Sequence, residues 1–256
     1  MVDCLYIVVN IKIIKKKLGV VFKVSSYKSH AIAGILFALP FISNVFYLFF
    51  ALLGASVPDL DHQNNKHKVY SMIGFGVVLS VLLFFLNGDV LSGLVLILLG
   101  VIFYFSHHRG FSHTLVGIVV LSCLFSFMFM GFVSVLMRLC IDFGVNVPFS
   151  SIVFIVMVLI GYFVIHRRYL MLYILALAVY LVLFGFDFGM FNWYVVFGMF
   201  LVGGLSHLIL DLRTPAGLSL FKPFIKRKFH QKMALFLFII WLVVAVGYLV
   251  YFNPLI

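Results

Sequence analysis

Imidazoles and carboxylates gather in four short stretches of this sequence: Ser29-His30, "PDLDH" from Pro58 to His62, "HHRGFSH" from His107 to His113, and "SHLILD" from Ser206 to Asp211. In the last, His207 and Asp211 stand one helical turn apart, so both side chains leave the same side of a helix and can share a cation. In "PDLDH" the proline ends the preceding helix, and two carboxylates and an imidazole follow at once, offering mixed O and N donors. In "HHRGFSH", Gly110 permits a tight bend between two helices. Ser112 is placed to cap the helix that follows and His113 to fall in its first turn, so His108 and His113 approach from the two sides of the bend. Imidazole and carboxylate without thiolate suit zinc above all, with manganese and iron as alternatives. The candidate ligands are His30, Asp59, Asp61, His62, His108, His113, His207 and Asp211, more than one tetrahedral ion requires and enough for two. Arg109 has no lone pair to give a metal; its place inside the histidine motif suits it to a phosphoryl oxygen.

Any one of these residues alone would read as a solvated helix end. Together they carry a single chemistry, and coordination offsets the desolvation of ionisable groups at membrane helix ends. His166, beside Arg167 and Arg168, and His230, within "KRKFHQK", have no carboxylate neighbour and read as facing lipid headgroups; His67 and His107 read as loop or helix-end residues. Cys4, Cys123 and Cys140 lack metal-ligand spacing, and no disulfide is expected among them.

The elements that must position these groups follow from composition. The chain has 256 residues, 65% hydrophobic and 10% charged, with a mean hydropathy of +1.26. That balance excludes a soluble domain of this size and implies an all-α, polytopic membrane protein. A single integral membrane domain is expected over residues 29–256, behind a basic segment 1–28. In that segment the apolar run "CLYIVVNIKII" precedes its lysines instead of following them, so it reads as interfacial rather than as a cleaved signal. A net charge of +11 in a soluble chain would suggest nucleic acid. Here the cations lie between hydrophobic runs, where they set orientation and meet anionic lipid, so membrane lipids are the expected partners and nucleic acid is not.

Hydrophobic runs predict seven helices, near residues 70–86, 90–106, 113–136, 150–165, 170–185, 191–210 and 233–252. Residues 31–57 could cross once or turn back at Pro40 to Asn44. A single crossing divides lysine and arginine almost evenly between the two faces. A hairpin puts every one except Arg138 on the same face, and the positive-inside rule selects it. The choice also carries His30, "PDLDH", "HHRGFSH" and "SHLILD" to that cytoplasmic edge, although no histidine or aspartate entered it. Asp89, Asp142 and Asp187 remain outside as ordinary loop residues.

The motifs Ser29-His30, "GASVPDLDH", "HHRGFSHTL" and "SHLILDLRTPAGLSLFKPF", between residues 29 and 224, resemble those of the membrane-bound metal-dependent hydrolases, the LexA-regulated bacterial inner-membrane type. The resemblance implies a metal-dependent hydrolase, more distantly similar to zinc-dependent phospholipase C and P1-type nucleases, whose sites use histidine and aspartate on helices. The sequence departs from the family form "RGFTHS" at Ser112, which keeps a hydroxyl, and it contains no glutamate, so every acidic group in a site must be aspartate.

The function expected is metal-assisted hydrolysis at the cytoplasmic membrane surface, with a lipid phosphoester as substrate. Asp59 or Asp61 would orient or deprotonate water, and Arg109 would hold transition-state charge. Arg213 and the basic run after it would meet an anionic headgroup. A metal or proton transporter would use the same residues as a transit site, and a scaffold would use them to hold a structural metal.

Overall fold

The computed structural model describes residues 26–185 and 191–252, and among these the regular elements are helical. The predicted basic segment 1–28 therefore lies outside the described residues up to residue 25, as do Cys4 and Asp187; Cys123 and Cys140 are free thiols.

The chain turns back where the sequence predicts it. Helix α1 (Tyr27–Ala38) starts at a capping box in which Ser26 and Ser29 satisfy each other's backbone N–H groups. Pro40 then opens a tight 3-10 turn, Leu39–Phe41, and ends the regular helix. The Asn44 side chain accepts from the Phe46 N–H at 2.8 Å and starts the return through Val45–Tyr47 into α2 (Leu48–Ser56). With 12 and 9 residues, the two helices measure about 18 and 14 Å at 1.5 Å per residue, short of a hydrocarbon core of ~30 Å. The hairpin tip is fixed by Tyr180, whose Oη donates to Asn44 Oδ1 at 2.5 Å, and by Tyr47, whose Oη accepts from the Asn192 N–H at 2.9 Å.

Among the described residues seven α-helices follow: α3 (Lys66–Phe85), α4 (Leu91–Phe105), α5 (Leu115–Asp142), α6 (Phe149–Val164), α7 (Arg167–Phe184), α8 (Trp193–Asp211) and α9 (Gln231–Phe252). They match the hydrophobic runs to within a few residues at most ends, and α5 runs six residues beyond its predicted end. Five of them, α3, α5, α7, α8 and α9, are long and apolar enough to cross a membrane, whereas α4 and α6 are apolar but shorter. The chain is a polytopic helical membrane protein. Large apolar side chains such as Leu172, Val182, Val243 and Val250 point outward, as hydrocarbon contact requires and water would not favour.

The hairpin is wedged into the bundle against α8, and small residues set how close. A Cβ built on Gly203 would lie 2.1 Å from the Ala51 carbonyl oxygen, and one on Gly54 would lie 2.3 Å from that of Phe200. Such backbone-to-backbone approach is what small residues provide between membrane helices, where lipid supplies no hydrophobic drive. It brings the end of α2 beside the end of α8, which is the precondition for any site shared between "PDLDH" and "SHLILD". At the same end, buried Lys68 donates its Nζ to the Ile165 carbonyl at 2.6 Å and ties α3 to the α6–α7 turn. At the opposite end Arg138 pairs with Asp142 at 3.6 Å, both half exposed, an i,i+4 contact worth about 0.5 kcal/mol or less.

Candidate metal centre

The four polar stretches meet at one end of the bundle. The connection after α2 is a 3-10 turn, Pro58–Asp61, and the connection after α4 ends in another, Phe111–His113. Between them the last turn of α8 delivers His207 and Asp211, and the first turns of α1 deliver His30.

Asp61 organises the histidine motif. Its Oδ2 accepts from the Ser112 hydroxyl at 2.5 Å and from the Arg109 backbone N–H at 3.1 Å, while Oδ1 lies 3.0 Å from His108 Nδ1. His113 Nδ1 stands 3.2 Å from Oδ2 of the same carboxylate and 3.0 Å from Ser112 Oγ. The Ser112 proton is committed to Asp61, so His113 Nδ1 must be the donor here and Nε2 keeps the lone pair. Arg109 adopts φ 60°, a left-handed conformation unusual for a side chain of this size, and that twist places its N–H in the same network. Burial alone would raise the Asp61 carboxyl; hydrogen bonds from His113, Ser112 and His108 hold it instead below the ordinary carboxylate range.

His207 is oriented independently. Its Nδ1 lies 2.7 Å from the Ala55 carbonyl oxygen, which can only accept, so the proton sits on Nδ1 and the lone pair on Nε2. Both Nε2 atoms, of His113 and of His207, are buried and have no hydrogen-bond partner. They face carboxylates at distances too long for a hydrogen bond: His113 Nε2 is 3.5 Å from Asp211 Oδ2, and His207 Nε2 is 3.8 Å from that atom and 3.7 Å from Asp59 Oδ1. His30 stacks on His207 with ring centroids 3.8 Å apart and brings its Nε2 to 3.5 Å from Asp211 Oδ1. Donor atoms of His30, His207 and Asp211 lie within 4.8 Å of one another, as do those of Asp59, His113 and His207. These residues fit a divalent cation. Fixing the far nitrogen of an imidazole through a carboxylate or carbonyl, as for His113 and His207 here, is how metal-ligating histidines are held. Burial pushes the Asp59 carboxyl above its ordinary value, a cost that a cation beside it would offset.

The eight candidate ligands thus divide by position. His30, Asp59, His113, His207 and Asp211 bring donor atoms together; Asp61 and His108 stand behind His113 rather than beside the shared gap. His62 is exposed, its Nδ1 accepting from the Asn64 N–H at 3.3 Å; its ring meets that of His108 at 5.2 Å and lines a polar cavity above the centre, but it belongs to neither donor group. The two donor groups share His207. The expected capping by Ser112 is replaced: Thr114 caps α5, its Oγ1 accepting from the Gly117 N–H at 2.9 Å, and His113 precedes the helix in a 3-10 turn. The residue that sequence reasoning missed is Ala55, whose role is carried by its carbonyl and leaves no side-chain signal.

Above the centre opens a cavity of about 370 Å³, lined in part by His30, Asp59, His108, Arg109, Asp211 and, from the α6–α7 turn, His166 and Arg167. Arg109 extends over it with Nε 3.9 Å from Asp211 Oδ2 and without a hydrogen-bond partner. His166 and His67, read from sequence as bystanders, both line this cavity.

The chain belongs to the YdjM inner membrane protein family, whose sequence model matches residues 26–254. It is a multi-pass membrane protein of the inner membrane. No curated protein and no solved structure matches it.

Proposed function

We propose that the protein is a metal-dependent hydrolase whose site lies at the cytoplasmic edge of the inner membrane and whose substrate is a lipid phosphoester. The observation that carries this reading is the pair of buried, partnerless nitrogens, His113 Nε2 facing Asp211 and His207 Nε2 facing both Asp59 and Asp211. His30, Asp59, His113, His207 and Asp211 would hold the cation, zinc foremost. Once bound, a divalent cation supplies Lewis acidity to water and to a phosphoryl oxygen. Asp61 is saturated by its own partners and serves to orient His113 and His108. Asp59 is the carboxylate left to accept the proton of an attacking water, its side chain being one-third exposed toward the cavity. Water's oxygen bonds to phosphorus as the ester P–O bond breaks, and the leaving alkoxide takes up the proton that Asp59 accepted.

Hydrolysis is favoured over transport because the buried histidines, aspartates and lysine among the described residues, His30, Asp61, Lys68, His113, His207 and Asp211, all sit at this one end. A transit path needs such groups through the depth of the membrane. Purified protein in detergent, supplied with zinc or manganese, is expected to release phosphate or an alcohol from phospholipid or soluble phosphoesters, and His113→Ala to lose that activity. Metal-independent turnover, or none by the native protein across the phosphoester panel, overturns the proposal.

The cytoplasmic placement has its own test. In a variant without the native cysteines, Ser26→Cys and Gln63→Cys are expected to react with an impermeant maleimide from the cytoplasmic side only. Reaction of both from the periplasmic side inverts the orientation.

A further inference from the structure

A second cavity, of about 580 Å³, opens sideways between the hairpin and α7, and its character is opposite to that of the first: almost all of its surface is apolar. Three helical faces build it. Ala31, Ile32 and Ile35 come from α1, Leu48 and Leu52 from α2, and Leu172 and Ala176 from α7, each set at the three- and four-residue spacing that aligns side chains along a helix. The outward residues beside it, Leu36 and Leu175, and Val45 of its own lining are exposed as lipid-facing residues are, so the groove communicates with the bilayer.

The two cavities share a wall. Tyr27 lines both, and its ring stacks on Tyr169 at 5.2 Å with the planes 8° apart, forming the sill between them. The α6–α7 turn contributes Ile165 to the groove, and His166 and Arg167 to the polar cavity. Lys28 stands at the head of the groove with Nζ 5.9 Å from the Tyr169 ring centroid. An apolar channel, an aromatic sill, cations at Lys28, Arg109 and Arg167, and then the histidine-aspartate centre follow one another. That is the profile of an amphiphile with an anionic head and a hydrocarbon tail.

We infer that the groove between the hairpin and α7 holds an acyl chain of the substrate, so that a membrane lipid reaches the site laterally and presents its phosphate over Tyr27 to the polar cavity. This deepens the hydrolytic reading of that cavity and rests on it. Lipid tails are as apolar as leucine, so the groove gains little affinity by hydrophobic burial. What it supplies is registration: a chain seated along α1 and α7 fixes the depth of the phosphate relative to His113 and His207, and positioning is where such a contact acts on rate.

Two arms test this. The first is independent of turnover: native protein in bilayers of phosphatidylcholine is photolysed with phosphatidic acid carrying a diazirine in its acyl chain, and labelled peptides are mapped. The expected label is concentrated on residues 31–35 and 172–176 over the lipid-facing surface of α9, and unlabelled phosphatidic acid suppresses it more than tenfold better than added phosphatidylcholine. Ala31→Trp and Ala176→Trp, which fill the groove, abolish it. Uniform labelling of α7 and α9, or groove adducts indifferent to headgroup, means ordinary boundary lipid and overturns the inference. The second arm compares phosphate release from long-chain phosphatidic acid and from a soluble phosphomonoester. The tryptophan variants are expected to lose at least tenfold more on the first than on the second, with metal content unchanged; equal loss on both, or none on either, overturns the inference. Inactivity of the native protein toward every phosphoester sinks the hydrolytic reading, while the labelling result still decides the groove.

Discussion

Asp211→Asn is expected to empty the metal centre. Asp211 is the carboxylate on which the others converge: His30, His113 and His207 approach it at 3.5, 3.5 and 3.8 Å, and Arg109 at 3.9 Å. Asparagine preserves the shape but removes the negative charge that three neutral imidazoles cannot replace. Elemental analysis of the native protein should give near-stoichiometric transition metal, and the Asp211→Asn and His207→Ala variants should fall to background. Asp61→Asn provides the contrast. Asp61 holds the far nitrogen of His113 rather than facing the shared gap, and loss of such a supporting partner weakens metal affinity by about 10–100-fold. Its metal is therefore expected to be lost on dialysis and restored by excess zinc, whereas Asp211→Asn stays empty. Unchanged metal in both Asp211→Asn and His207→Ala would remove the metal assignment altogether.

That contrast also marks what sequence could and could not reveal. Helix positions followed from hydrophobic runs because bilayer thickness constrains them strongly, and the hairpin followed from the distribution of lysine and arginine. The pairing of His207 with Asp211 was visible because both lie on one helix at a four-residue spacing. The separation of Asp59 from Asp61 was not. The two lie in one 3-10 turn, and only the path of "HHRGFSH" around Asp61 determines which carboxylate is consumed by hydrogen bonds and which faces His207. The role of Ser112 was misread for a related reason: a serine before a helix is an apt cap by local rules. Here the tertiary partner Asp61 takes its hydroxyl, and Thr114, two residues on, caps instead. The end of α5 at Asp142, six residues past the apolar run, was also hidden, since an apolar run does not tell where helical hydrogen bonding stops.

Arg109 separates chemistry from binding, and its backbone dictates how it must be tested. With φ 60°, alanine at this position would be as strained as arginine, and a fault in the turn would disturb the N–H that Asp61 accepts. Glycine adopts that conformation freely. Arg109→Gly therefore removes the guanidinium while leaving the turn, the Asp61 network and the orientation of His113 in place. The native guanidinium reaches over the cavity with Nε buried and unpartnered, close to Asp211 but beyond hydrogen-bond distance. A phosphoryl oxygen between the arginine and the centre would satisfy it, and its charge would grow as the P–O bond breaks. Arg109→Gly is expected to keep its metal and lose on the order of a hundredfold or more in phosphoester turnover. Arg109→Lys should recover little, because an ammonium lacks the planar fork and lysine meets the same backbone strain. If Arg109 only snorkels to lipid headgroups, as a positive-inside residue does, both variants turn over at the native rate. If Arg109→Gly loses metal together with activity, the guanidinium supports Asp211 instead, and its role toward substrate is ruled out.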